Sequence, residues 1–428
     1  MHLSRLQVLI ATAVDHGALA PDPTAGDHGA VLLAHDLDHL DATLAELRAA
    51  FPPSTLHAVA AKANPVGGIL DRIATAGMGL ECASGVELEL ALARLPPDRV
   101  VFDSPCKTWD ELRRALSAGA RLNADSLQEL DRIATLQQEA GSDSLVGLRI
   151  NPGVGAGSIA GTSTAVRGSK FGVDLPANRR EIVDRFACSP WLRALHVHVG
   201  SQGCSMELLA AGAAAAVDLA QDIGAAGGRV DALDIGGGLS AGYGDSDDEG
   251  PTFAALAAVL RAQVPGLFSG PWQLVTEYGR RVHAAAGVVL SRVESTKVSG
   301  GRRIAVVHAG ADLFVRPAYR PAQWRHRVTV HHRDGRLKTG PRMPWDVVGP
   351  LCFSGDRLAK GRQLPPIEPG DVVAVHDAGA YTLAMYSRYN SRRAPAVLGV
   401  LGGGERPVRA QILKPQETAA QVMAFWGC

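Results

Sequence analysis

The sequence predicts an α/β protein: a (β/α)8 TIM-type barrel followed by an antiparallel β domain. Three observations carry that expectation. Short apolar runs alternate with amphipathic helical stretches from about residue 30 to 285, the pattern of a parallel sheet with helical crossovers. The number of such units is near eight, which a closed barrel accommodates most economically; a doubly wound open sheet is the alternative. Beyond about residue 286 the runs become short and partly alternating, separated by turns such as Asp334-Gly335 and Pro369-Gly370, as in an antiparallel β domain.

The units read in order as follows. Ala30–Ala34 is a strand and Leu37–Phe51 a helix. Leu56–Ala61 leads to the helix Gly67–Ala76, and Gly79–Cys82 to Val86–Leu95. Val100–Phe102 precedes Thr108–Ala118, and Arg121–Asn123 precedes Ser126–Glu139. Val146–Asn151 and Leu195–Val199 are strands, the latter followed by the helix Met206–Ile223. Ala232–Ile235 leads to Phe253–Val264, and Trp272–Glu277 is the last strand of the series. The later runs Val288–Leu290, Arg303–His308, Val328–His332 and Val372–His376 belong to the second domain. Residues 1–29 are expected to lie against that domain, so the barrel is assigned to 30–285 and the β domain to 1–29 with 286–428. The Gly-, Ser- and Thr-rich loop Gly153–Gly168 is long for a barrel connection, and such loops are usually functional.

Composition narrows the classes. Lys+Arg and Asp+Glu are equal at 43 each, so no basic excess points to nucleic acid. Asp15 and His16 interrupt the apolar N-terminus, and no stretch reads as long enough to span a membrane. The six cysteines are scattered without paired metal-ligand spacing, which predicts free thiols in a reducing, cytoplasmic setting and no metal site.

In a parallel barrel the functional groups gather at the C-terminal ends of the strands. Six such ends carry polar residues here: Lys62; Glu81-Cys82-Ala83-Ser84; Arg149-Ile150-Asn151; His196 through Gln202; Asp234 through Gly238; and Glu277-Tyr278-Gly279-Arg280. Each has a plainer reading taken alone. Gly236–Gly238 suits any tight turn, His198 a core position, Glu277 and Arg280 a surface ion pair, and Cys352 a buried thiol. Together they point to a site. Lys62 follows the apolar run His57-Ala-Val-Ala-Ala, and burial there would favour the neutral, nucleophilic amine that a Schiff base with an aldehyde cofactor needs. The glycines would let backbone N–H groups approach a phosphate.

The chain resembles the fold-type III pyridoxal-phosphate decarboxylases, the group of diaminopimelate and ornithine decarboxylases that share the alanine-racemase barrel. The resemblance runs from Leu32 to Val400. It rests on Ala61-Lys62-Ala63-Asn64, Glu81-Cys82-Ala83-Ser84, His198-Val199-Gly200-Ser201-Gln202, Gly236-Gly237-Gly238, Leu351-Cys352 with Ser354-Gly355-Asp356, and Asp377-Ala378-Gly379-Ala380-Tyr381 followed by Tyr389-Asn390-Ser391-Arg392. It implies pyridoxal 5'-phosphate on Lys62, with the ring of His198 stacked on the pyridine and Glu277 paired with the pyridine nitrogen. Ser201, Gly237, Gly238, Arg280 and Tyr381 would hold the phosphate with backbone amides from Gly279. Cys352 would enter the active site of the other subunit in a homodimer and act as a proton donor near Cα. A carboxylate at 277 keeps the ring nitrogen protonated and so favours decarboxylation. Racemases of this fold place an arginine there. A racemase or epimerase is the alternative reading, and a non-catalytic binding protein is a third, which retention of Lys62, Glu277 and Cys352 disfavours.

Three departures bear on the substrate. Phe353 stands where diaminopimelate and ornithine enzymes carry the acid that binds the substrate's distal ammonium, and a cation in an apolar slot without a partner is costly. The family's Arg-Pro-Ala-Leu-Tyr appears as Arg316-Pro317-Ala318-Tyr319-Arg320, in which Arg316, Tyr319 and Arg320 would contact an anionic or neutral polar tail. Tyr278 replaces a proline before Gly279. The expectation is therefore a decarboxylase of a non-standard or modified amino acid, with its specificity set by Phe353 and the loop 156–167.

Overall fold

The structure, a computed structural model, describes residues 3–20, 29–244 and 248–428. The chain divides into two compact units, one of residues 43–241 and 251–282, the other of residues 1–42, 242–250 and 283–428. The helix Leu3–Asp15 opens the second of these. The strand β1 (Val31–Asp36) is buried at every position. It pairs antiparallel with the strand at 287–299 and parallel with that at 396–403. The apolar run at 30–34 therefore does not open the barrel. Its uninterrupted burial is shared by central strands of either sheet, and pattern alone does not say which one it joins.

The barrel comprises β2 (Leu56–Ala60), β3 (Gly79–Cys82), β4 (Val100–Phe102), β5 (Arg121–Ala124) and β6 (Val146–Asn151). The two-residue β7 (Val173–Asp174) is a side strand on β6. The ring continues with β8 (Leu192–Val197), β9 (Ala232–Asp234) and β10 (Gln273–Thr276). All pairings are parallel, in the order β5-β4-β3-β2-β10-β9-β8-β6, and β5–β6 pairing closes the ring. Leu56, Ala58, Val101, Ala194, Ala232 and Val275 fill its interior. The crossover helices start where their caps dictate. Thr108 forms a capping box with Glu111, and Ser84, Ser126, Ser205 and Thr252 each accept an N–H of the first turn, which satisfies donors the helix leaves orphaned. The helix Met206–Ala225 is long and apolar enough to cross a membrane by composition, more than the sequence reading allowed for. One side of it, including Leu209, Ala213, Ala216 and Leu219, is buried within the unit, as in the amphipathic helices of a barrel's outer ring.

The second unit's sheet holds β1, β11 (Gly287–Ser299), β12 (Arg302–Val307), β13 (Val328–His331), β14 (Met343–Val348), β15 (Arg357–Leu364), β16 (Val372–Val375), β17 (Ala396–Gly403) and β18 (Arg406–Lys414). It is mixed rather than purely antiparallel, because β1–β17 and β12–β14 run parallel. The N-terminal helix packs Leu6, Leu9, Ile10 and Ala13 onto Leu32, Val288, Val372 and Leu398 of this sheet. Residues 21–28 lie outside the described residues.

Candidate active site

The strand ends bring most of the predicted residues to one place in the barrel. β2 ends at Ala60, and Lys62 sits in the single 3-10 turn Ala61–Ala63 that follows. Its side chain is 34% exposed and its Nζ lies 2.5 Å from Oε2 of Glu81, which is fully buried on β3. The sequence reading had placed this lysine in an apolar strand end. Here it is anchored by a carboxylate instead, since the turn carries it out of the strand. Burial pushes the Glu81 carboxyl up to about 6, against the pull of the Lys62 ammonium.

Glu277 follows β10 and is also fully buried. Neither carboxylate oxygen has a hydrogen-bond partner among the described residues. Burial, with Asp234 and Asp103 nearby, raises its pKa well above the usual range. A buried acid of this kind awaits a positively charged or proton-bearing partner. His198, just after β8, places Nδ1 3.5 Å from Glu277 Oε2 and accepts the Gly237 N–H at 3.3 Å. Burial, then Arg149 and Lys62, hold its pKa well below the ordinary value, so the ring is neutral and presents an uncharged face.

The turn Gly236–Gly238 after β9 admits no side chain. A Cβ at Gly237 would lie 2.4 Å from the Glu277 carbonyl oxygen, and one at Gly238 2.6 Å from that of Gly200. Gly236 and Gly238 also adopt φ of 65° and 105°, conformations that favour glycine. Arg280 opens the turn Arg280–His283 and donates from Nε to Ser201 Oγ at 3.1 Å. Gly279 backs onto the lysine turn, where a Cβ would meet that of Ala63 at 2.8 Å. Tyr278, in place of the family's proline, is buried against Phe253 and Phe51, so it serves packing.

Sequence reasoning placed Arg149, His196 and Asp234 at strand ends without a role, and it missed Asp103 and Asp125 in the layer beneath. His196 is fully buried, with ring nitrogens 3.4 Å from Asp103 and Asp234 and 3.5 Å from Glu277. Arg149 lies 3.5 Å from Asp103 and 3.7 Å from Asp125. Burial alone would raise the Asp103 carboxyl, but His196 and Arg149 outweigh it and hold it below the usual range. The signal was present in the alternation His196-Val197-His198, which points two histidines the same way; their rings are parallel, 6.4 Å apart.

The remaining predicted residues belong to the second unit and form a cluster of their own. The loop at 351–356 is fixed by Asp356, whose carboxylate accepts the N–H groups of Ala311 at 2.5 Å and Leu351 at 2.7 Å. Cys352 is exposed; its N–H donates to Asn390 Oδ1 at 2.9 Å and its carbonyl accepts from Tyr389 Oη at 3.1 Å. Phe353 stacks on Tyr319, centroids 5.3 Å apart and planes 17° from parallel. These two rings and Cys352 line a pocket of about 420 Å³ with Val315, Leu351 and Tyr389, and among the described residues no charged one lines it. Arg316 lies over Trp324 at 5.0 Å and Tyr381 at 4.8 Å. Its guanidinium is held between two rings rather than extended. Arg320 is exposed.

A (β/α)8 barrel with a lysine beside a buried acid, a neutral histidine, a buried carboxylate with no hydrogen-bond partner among the described residues and a glycine turn next to an arginine fits a pyridoxal-phosphate enzyme. Residues 37–284 match the pyridoxal-binding domain of the pyridoxal-dependent decarboxylases. The chain is 35% identical over 370 residues to the diaminopimelate decarboxylase of Pseudomonas fluorescens, covering 85% of each chain. It is 36% identical over 354 residues to that of Pseudomonas aeruginosa, covering 82% of each. The crystal structure of the Helicobacter pylori diaminopimelate decarboxylase complexed with L-lysine superposes with a TM-score of 0.82 at 28% identity, over 94% of this chain and 98% of that one. This protein belongs to the pyridoxal-dependent decarboxylase family and is a pyridoxal-phosphate-dependent amino-acid decarboxylase.

Proposed function

We propose that this decarboxylase acts on an amino acid whose side chain does not end in an ammonium group. The observation that carries the reading is the pocket beside Cys352. Stacked Phe353 and Tyr319 form its wall, and among the described residues no carboxylate lines it. A distal ammonium there would lose its hydration without gaining a charged acceptor. A cation–π contact would return only about 0.5–2 kcal/mol. Uncharged tails escape that penalty, and an anionic tail would do so only by reaching Arg316 or Arg320, which lie outside the pocket lining.

In the barrel, Lys62 would carry the cofactor, with Glu81 orienting its amine through the contact at 2.5 Å. His198 would present its neutral ring to the pyridine. Glu277 would serve as the carboxylate partner of a protonated pyridine nitrogen, a charged state that its burial disfavours without such a partner. Ser201, Gly237, Gly238, Gly279 and Arg280 would hold the phosphate. The bound cofactor supplies an electron sink for the pair left on Cα when CO2 departs. Cys352, on a loop pinned by Asp356 and Asn390, returns a proton to Cα. We assign it to the site of the partner subunit in a homodimer, in keeping with its exposure here. Six free cysteines suit a cytoplasmic enzyme.

The test is CO2 release from amino acids that differ only in tail charge. Preference for uncharged or anionic tails is expected. Efficient turnover of meso-diaminopimelate would overturn the assignment of Phe353.

A further inference from the structure

The loop 153–168 is longer than a barrel connection requires, and its hydrogen bonds give it a definite task. Residues 157–165 lie along residues 198–204, the segment that leaves β8 and carries His198 and Ser201. Ser163 forms an antiparallel bridge with Gly200. The Val199 carbonyl accepts the N–H groups of Thr164 at 2.9 Å and Ala165 at 3.1 Å. In the other direction, Ser201 donates its N–H to the Thr162 carbonyl at 3.0 Å. Ser158 donates its N–H to the Gly203 carbonyl at 2.8 Å. The half-buried Thr164 adds its hydroxyl, which donates to the carbonyl of His198.

The composition of both segments follows from this closeness. A Cβ on Gly200 would stand 2.8 Å from the Thr162 carbonyl oxygen, and one on Gly203 2.6 Å from Ser158 Oγ. One on Gly157 would run into the Gly203 carbonyl. Glycine is the residue that lets two backbones approach in this way. The far flank of the segment is held by Gln202. Its side-chain amide donates to the Ala241 carbonyl at 2.7 Å and accepts the Ala241 N–H at 3.0 Å. Residues 198–204 are therefore fixed between the loop and the chain that follows the glycine turn 236–238.

We infer that Thr164 is a positioning residue for cofactor binding. Its hydroxyl fixes the His198 carbonyl, and the neighbouring Thr162–Ser201 contact fixes the next turn of the same segment. Together they set the ring of His198 and the hydroxyl of Ser201 before the cofactor arrives, so that less ordering is left for the binding step. The inference rests on the assignment of His198 and Ser201 to the cofactor. It gives the loop a role in holding the cofactor, apart from any contact with the substrate's tail.

The experiment strips the full chain of cofactor and titrates it back with pyridoxal 5'-phosphate. Visible absorbance reports the dissociation constant, and visible circular dichroism reports the setting of the bound ring. Thr164→Val keeps the side chain's shape and removes the hydroxyl. It should raise the dissociation constant at least about fivefold, the scale of one lost hydrogen bond, and reduce the dichroism per bound cofactor. Thr164→Ser keeps the hydroxyl and should stay within about twofold of the unmodified protein. Where Thr164→Val is not recovered folded, Thr164→Ala carries the same comparison. A variant without the hydroxyl that binds the cofactor normally, even with a lowered Tm, shows a role in folding alone and overturns the inference. His198→Ala, measured alongside, separates the two levels. Weakened binding there with normal binding in Thr164→Val overturns the inference and leaves the cofactor assignment standing. Unchanged binding in His198→Ala overturns the assignment and the inference with it.

Discussion

Replacing Phe353 with glutamate restores a carboxylate to the one pocket wall from which it is missing. The position tolerates the change. Phe353 is half-buried, and its loop is fixed by backbone contacts and by Asp356 rather than by the ring. Loss of the stacked pair with Tyr319 costs about 0.5–1.5 kcal/mol of packing. A new carboxylate facing a distal ammonium forms a charged hydrogen bond that contributes about 1.5–3 kcal/mol. At 1.4 kcal/mol per decade, that is roughly a 10- to 100-fold change. The assay is kcat/KM for CO2 release from L-lysine and from L-norleucine, which differ only in the terminal ammonium. In Phe353→Glu the lysine-to-norleucine ratio should rise by that factor over the unmodified enzyme, and Phe353→Gln should reproduce little of it. A ratio that stays within about twofold in Phe353→Glu would refute the claim that this residue faces the substrate's tail, since a contact worth even 0.5 kcal/mol would exceed it.

Lys62→Ala should abolish the absorbance band near about 420 nm expected of lysine-attached cofactor, with folding intact by circular dichroism; a retained band would place the attachment elsewhere. Glu81 has a folded pKa raised to about 6, so the folded state binds its proton more tightly than the unfolded chain does. Its stability contribution is complete below pH about 4.5 and is lost as pH rises toward about 6, a decline of about 2 kcal/mol. Urea titrations across that window should show the decline in the apoprotein and its absence in Glu81→Gln. Gly237→Ala drives a methyl group to 2.4 Å from the Glu277 carbonyl; the overpacking costs about 1–3 kcal/mol and should appear as a lowered Tm together with weakened cofactor binding, whereas an unchanged dissociation constant would remove this turn from the phosphate site.

Much of the barrel was legible because its physics is local. A strand buried on both faces must be an apolar run, its helix must have an apolar stripe, and functional groups can stand only where the run ends. That rule put Lys62, His198, Gly237, Gly238, Glu277 and Arg280 at strand ends, where the structure has them. Phe353 was legible as a departure from a family motif. What the sequence left open depends on partners distant in the chain. Nothing near 31–36 says that this strand pairs with residues 287–299 and 396–403. Nothing near Lys62 says that Glu81 will hold its ammonium, or that Arg316 will be sandwiched by Trp324 and Tyr381. His196 becomes the hub of three carboxylates only when four separate strand ends converge. Periodicity and residue type are properties of a segment. Ion pairing, desolvation and pKa belong to distances between segments, and closure of the tertiary fold sets those distances.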